Sequence, residues 1–175
     1  KPLQQLRTSL SADDTQLTLA YNSSHFFVTS NNIYLSCRLI EGRFPDYRAV
    51  IPADNPYKMI VNRVEFISAL KRLIIFANKT TNQVVLDING NSLQMNAQDI
   101  DFSFEGKEVL SCQYSGEDMQ IAFNAKLMIE MVNNLQGDEV ELNLSTPTRA
   151  GIFRPVVKAE NEELMMLLMP LMIGV

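Results

Sequence analysis

The sequence predicts an α+β domain built by duplicating one unit, a strand, a helix and then three strands. Three observations carry that prediction. First, two helix-forming stretches align at a fixed offset of 62 residues, with Asn62 on Asn124, Phe66 on Met128, Ile67 on Ile129, Leu70 on Val132 and Leu73 on Leu135. Such a fixed spacing marks a repeated supersecondary unit. Second, each stretch follows a short apolar run and opens on an asparagine, a good helix N-cap. Third, each is followed by several strand-like runs separated by turn residues. Helices on one side and strands on the other would then share one core.

The elements follow in order. Residues 2 to 10 read as a helix with Leu3, Leu6 and Leu10 on one face. Gln16 to Tyr21, His25 to Ser30 and Ile33 to Leu39 read as strands, separated by Asn/Ser turns. This stretch resembles one more unit without its opening strand. Glu41 to Pro56 contains three prolines and Gly42, the composition of a connector. Met59 to Val61 is a short strand, and Asn62 with Glu65 three residues on resembles a capping box. The helix runs to about Asn78, with Val64, Ile67, Leu70 and Ile74 inward. Val84 to Ile88 and Leu93 to Met95 form a hairpin around Asn89-Gly90, and Val109 to Tyr114 is a further strand. Gln120 to Phe123 opens the second unit. Its helix spans Ala125 to Leu135 and stops at Gly137. Strands follow at Glu139 to Leu144, Gly151 to Val157 and Glu163 to Met169.

Composition narrows the chemistry. Hydrophobic residues make up 46% of the 175, enough for a core, and the net charge of -5 argues against a surface that is basic all over. A local basic face remains compatible with that charge. Cys37 and Cys112 have no metal-ligand spacing and are expected reduced and buried in strands. The N-terminal segment has no apolar signal core. The most apolar run, Leu164 to Val175, is too short to span a bilayer and contains Pro170. The opening Lys-Pro-Leu-Gln-Gln-Leu reads as an amphipathic helix already under way, and we expect a preceding segment to be missing.

Catalysis is not expected from the sequence. His25 is the single histidine, and no Gly-rich phosphate loop or His-Glu-x-x-His occurs. Asp99 and Asp101 are two carboxylates without a third ligand, a weak case for a metal-dependent hydrolase and a better one for a solvated loop. No cofactor or metal is expected. Surface character says more. Ser68, Lys71 and Arg72 lie on the wet face of the first helix, with Glu130, Asn133 and Asn134 in equivalent places on the second and Lys126 near its start. Lysine, arginine and asparagine on such faces can meet phosphates without reading bases. An ordinary solvated helix face is the plain alternative. Leu73-Ile74-Ile75-Phe76 is too apolar for one helix face, so the helix end is either buried all round or packed on a partner. Leu164 to Met172 is rich in methionine, which suits surfaces that accept several partners. A core strand with a frayed end is the alternative.

The connector carries a resemblance. Leu39-Ile40-Glu41-Gly42-Arg43-Phe44-Pro45-Asp46-Tyr47-Arg48-Ala49-Val50-Ile51-Pro52 resembles the linker between the second and third domains of the bacterial sliding clamps, the beta subunits of DNA polymerase III. Tyr114-Ser115-Gly116-Glu117 with Ile121-Ala122-Phe123-Asn124, Pro147-Thr148-Arg149-Ala150 and Leu168-Met169-Pro170-Leu171 also resemble that family. The resemblance implies a DNA-clamp fold with helices on the inner face and sheets outside. It places 1-47 in the second half of the middle domain and 48-175 in the third domain. It implies a cytoplasmic, non-enzymatic processivity factor, a homodimeric head-to-tail ring that encircles duplex DNA. Arg7, Lys71, Arg72 and Lys126 would face the DNA, and Ile75 and Phe76 would face the other protomer. Pro45, Val50, Thr148, Leu167, Leu168, Met169, Pro170, Leu171 and Met172, with Asn124 and Leu127 nearby, would line a hydrophobic pocket. That pocket would take short motifs, a glutamine followed by leucines and a phenylalanine, from the polymerase catalytic subunit, the clamp loader and repair polymerases. Ala49 and Met172 stand where some relatives have arginine, and Gly174 and Val175 run past the usual end. A protein-interaction domain with no DNA role is the alternative function.

Overall fold

The computed structural model describes residues 2–10, 16–30, 33–158 and 160–173; Gly174 and Val175 lie outside them. The chain divides into two compact units, Lys1–Asp46 and Tyr47–Val175.

The first unit holds helix α1 (Pro2–Ser9) and the antiparallel strands β1 (Thr18–Tyr21), β2 (His25–Thr29) and β3 (Tyr34–Arg38), in that order in the sheet. Asn22 makes the first turn: its side-chain oxygen accepts the N–H groups of Ser24 and His25, at 2.9 and 2.7 Å. Among its described residues, Leu6 and Val28 are the buried hydrophobic ones. Leu3 is exposed and Leu10 half-buried, so the expected leucine stripe is buried at one position only.

In the second unit the predicted repeat is visible strand for strand. The first copy is β4 (Tyr57–Asn62), α2 (Arg63–Leu73), β5 (Gln83–Asn89), β6 (Ser92–Asp99) and β7 (Phe104–Ser115). The second is β8 (Met119–Asn124), α3 (Ala125–Asn133), β9 (Glu139–Leu144), β10 (Gly151–Pro155) and β11 (Met166–Leu168). The sheet order is β11-β10-β9-β4-β7-β6-β5-β8, with every pairing antiparallel. The opening strand of each copy pairs with the first post-helix strand of the other, β4 with β9 and β8 with β5. The copies are thus related by an approximate two-fold exchange.

Helix starts obey the same exchange. Asn62 and Asn124 both cap, accepting the N–H of Glu65 at 3.0 Å and of Leu127 at 3.1 Å. The Arg63 N–H donates to the Asp138 carbonyl beyond α3, and the Ala125 N–H donates to the Asn82 carbonyl beyond α2. Phe66, Leu70 and Leu73 of α2 and their counterparts Met128, Val132 and Leu135 join one core with Leu86, Ile88, Phe123 and Phe153. Asn124→Ala should cost more than Asn62→Ala, because the Asn124 amide also donates to the Thr81 carbonyl at 2.9 Å. We expect about 1 kcal/mol for Asn62→Ala and about 2 kcal/mol for Asn124→Ala in urea unfolding. Equal losses would mean that this second bond contributes nothing.

Several local expectations are corrected. Helix α2 ends at Leu73 with Ile74 as its cap, rather than near Asn78. Helix α3 likewise ends at Asn133 with Asn134 as cap. Val64 is 58% exposed, and Phe66, Ala69 and Leu73 take its place on the inner face. The hairpin loop is Gly90-Asn91, since Asn89 pairs with Ser92; Gly90 has φ +54°, and a positive φ at the first central residue is where a type II′ turn wants glycine. The last two strands are shorter than expected, ending at Pro155 and spanning Met166–Leu168.

Candidate functional site

The C-terminal segment is held at two edges. Strand β11 pairs with β10, Gly151 opposite Leu168 and Ile152 opposite Leu167. Pro170 has no N–H to continue that ladder. The chain then steps to β8, where the Leu171 N–H donates to the Ala122 carbonyl at 2.7 Å. This bridge joins the two ends of the eight-strand order.

Helix α3 supplies the facing wall. Leu127, Glu130, Met131 and Asn134 recur at the i, i+3, i+4, i+7 spacing of one helical face. With Met166, Leu167 and Leu168 they line an open groove of about 330 Å³. Asn124, which caps α3, lies two residues beyond the bridged Ala122. Leu168 is only 7% exposed and belongs to the core, so it supports the groove from beneath. Met169 at 58% and Met172 at 81% exposed are open to solvent, and Pro170 and Leu171 are half-buried. Thr148 is exposed on the β9–β10 turn, its hydroxyl 3.4 Å from that of Thr146. That turn is tied to the connector by Asn55, whose amide donates to the carbonyls of Asn143 and Ala150 at 3.0 and 2.9 Å. Val50 ends a 3-10 turn, Tyr47–Val50, and is exposed; the next residue, Ile51, shares a hollow with Ile152. Pro45 belongs to the first unit. Leu127, Leu167 and Leu168 are therefore brought together directly.

A second apolar surface surrounds the end of α2. Ile75 is 63% exposed, and Phe76 lies over Gly106 of β7 so closely that a Cβ there would meet its ring at 2.6 Å. Ile100, Phe102, Phe104 and Val109 are exposed nearby in sequence, with the Phe102 and Phe104 rings stacked 6.1 Å apart. Among the described residues, β7 pairs with β6 over residues 104–111 and with β4 only over 112–115, so the first stretch has an open edge. Sequence reasoning singled out Ile75 and Phe76 as apolar excess but not this edge. The alternation of Ile100, Phe102 and Phe104 was its available signal.

Of the proposed DNA-facing cations, Lys71 and Lys126 are exposed and make no ion pair among the described residues. Arg7 is exposed on α1. Arg72 instead grips Glu108 of β7 with two hydrogen bonds, 2.6 and 2.9 Å, so its charge is already matched.

Those bonds from Arg72 hold the Glu108 carboxyl below its ordinary pKa. For Glu141, burial pushes upward, but hydrogen bonds from Lys58 and Asn143 and attraction to Lys58 and Arg154 outweigh it and the net shift is downward. A carboxylate with a lowered folded pKa contributes stability above its unfolded value, about 4.3, and that contribution is lost as pH falls toward the folded value. Urea midpoints should therefore drop from about pH 5 downward, and Glu108→Gln or Glu141→Gln should flatten the drop. An unchanged slope in both variants would contradict this.

Little here suggests chemistry. His25 Nδ1 lies 2.9 Å from the Ser24 hydroxyl and its ring stacks on Phe27. Asp99 is buried rather than solvated, and its carboxylate accepts the Asp101 N–H at 3.2 Å. Among the described residues no group of three His, Cys, Asp or Glu could hold a metal. Both cysteines are free and in strands, Cys112 buried and Cys37 half-buried. Burial pushes the Cys112 thiol up, which keeps it protonated and unreactive. No helix among the described residues is long and apolar enough to cross a membrane.

Residues 48–172 match the family described as DNA polymerase III beta subunit, C-terminal domain. The beta sliding clamp of Chlamydia trachomatis is 28% identical over 143 residues, covering 82% of this chain and 34% of the relative. That of Rickettsia felis is 30% identical over 141 residues, covering 76% and 37%. The crystal structure of a Bartonella birtlesii sliding clamp bound to griselimycin superposes with a TM-score of 0.85 at 26% identity, covering 97% of this chain and 44% of that one. A Pseudomonas aeruginosa polymerase III beta subunit gives 0.88 at 20% identity, with 98% and 46% covered, a likeness of fold alone. The chain thus spans between a third and a half of the length of these relatives.

Proposed function

The chain belongs to the DNA polymerase III beta subunit family, and from that membership we propose that it serves a cytoplasmic sliding clamp, a homodimeric ring that encircles duplex DNA and tethers its partners. The partners are the polymerase catalytic subunit, the clamp loader and repair polymerases, each docking a short apolar motif. The observation that carries the reading is the C-terminal segment bridging β10 and β8 beside α3, with Leu167 and Met169 reachable from solvent. A concave apolar wall with a few polar groups suits a peptide anchor. In this reading Leu127, Leu167, Met169, Pro170, Leu171 and Met172 contact the peptide, Leu168 supports them, and Asn124, Thr148 and Val50 border the site.

Lys71 on α2 and Lys126 on α3 would touch phosphates in the ring's lumen, with Arg7 of the first unit in the same role. These contacts are sequence-independent and weaken with salt. Arg72, matched by Glu108, adds less than its position suggests. Ring closure would use the open β7 edge with Ile75, Phe76, Phe102 and Phe104. The repeat supports this: the positions equivalent to Ile75 and Phe76 are Gly137 and Asp138, so the apolar pair is particular to one copy. Head-to-tail contacts of this kind close into rings.

The test uses protein of the relatives' length, loaded by its clamp loader on nicked circular DNA. Gel filtration should show it co-eluting with circles at high salt and released once the DNA is cut to a line. Equal retention on linear DNA would mean ordinary binding, and the encircling role would be lost.

A further inference from the structure

The groove beside α3 extends beyond the residues assigned to the pocket. Its walls are the apolar Leu127, Met131, Met166 and Leu167, and among the described residues Glu130 is the single charged one lining it. Glu130 is exposed and makes no ion pair among the described residues. The charged side chain one helical turn before it, Lys126, does not line the groove. Asn134 closes the far end, its amide donating to the Glu130 carbonyl at 2.8 Å.

We propose that this groove receives the residue flanking the docked motif, and that Glu130 makes the site prefer a basic residue there. The inference rests on the peptide-docking reading above. Dimensions agree with it. From Leu127 to Asn134 the helix advances about 10 Å at 1.5 Å per residue, the length of about three extended residues. Glu130 lies roughly 4.5 Å along from Leu127, so a side chain one or two positions from the residue seated on Leu127 reaches it. Met131 and Met166 are half-buried and adaptable, so the groove tolerates varied apolar neighbours while the carboxylate supplies the charge preference.

Four labelled peptides test this, each with the same glutamine, leucines and phenylalanine. Two carry a lysine, before the glutamine or after the phenylalanine, and two carry glutamate at those places. Anisotropy titrations of the 175-residue chain should show one lysine peptide binding about three- to fivefold tighter than its glutamate partner, the scale of an exposed ion pair. The preference should vanish in Glu130→Gln and reverse in Glu130→Lys, with urea midpoints unchanged. If the peptides bind wild type and Glu130→Lys alike, the groove proposal is overturned while the docking site stands. If none binds wild type, the docking reading itself fails and takes this proposal with it.

Discussion

Phe66→Ala should lower the free energy of unfolding by about 3–5 kcal/mol, and Met128→Ala by about 2–5 kcal/mol. Both side chains are fully buried at equivalent positions of the two copies. Each removes most of a large side chain from a core whose neighbours sit on several strands, so collapse around the gap is limited. Val64→Ala, on the exposed side of the same helix, should change stability by under about 0.5 kcal/mol. Urea unfolding followed by circular dichroism reads all three. A Val64 loss larger than the Phe66 loss would mean that α2 is rotated from the orientation described.

The proposed ring closure gives the second large effect. Ile75→Asp combined with Phe104→Asp, in protein of the relatives' length, should weaken dimerisation on the order of a hundredfold or more, since buried apolar anchors dominate interfaces. Both residues are exposed in this chain, so a charge there costs the fold little. Sedimentation velocity at micromolar protein should show monomers. Dimers of undiminished stability would remove the β7 edge from the interface.

Much of the fold was legible because the repeat writes itself in local chemistry. Asn62 and Asn124 announce two helix starts, and the apolar stripe behind each fixes the buried face. The misplacement of Val64 came from reading one copy alone: its counterpart is Lys126, a residue that belongs in water. The end of α2 was obscured by Ile74, Ile75 and Phe76, whose apolar character continues the pattern past the last helical turn. Strand β7 starts at Phe104, ahead of the expected Val109, and its added stretch includes Gly106, which clears space for Phe76. Residues of the proposed pocket near the C-terminus were named through a resemblance, which said nothing of their division of labour. Leu168 and Met169 are neighbours in sequence, yet pleating buries one and leaves the next open. The Arg72–Glu108 pair joins residues 36 apart and has no local signal.

That division of labour decides the most direct measurement. A fluorescein-labelled peptide containing the glutamine, leucines and phenylalanine is titrated with this chain and with its Leu167→Ala, Met169→Ala variant, anisotropy being recorded beside urea unfolding. The account predicts saturable binding to the chain and at least tenfold weaker binding to the variant, since two apolar anchors are worth about 1.4 kcal/mol or more together, with little change in unfolding. Equal binding by both proteins, or none by the unaltered chain, would contradict the assignment of a peptide-docking site to the C-terminal edge.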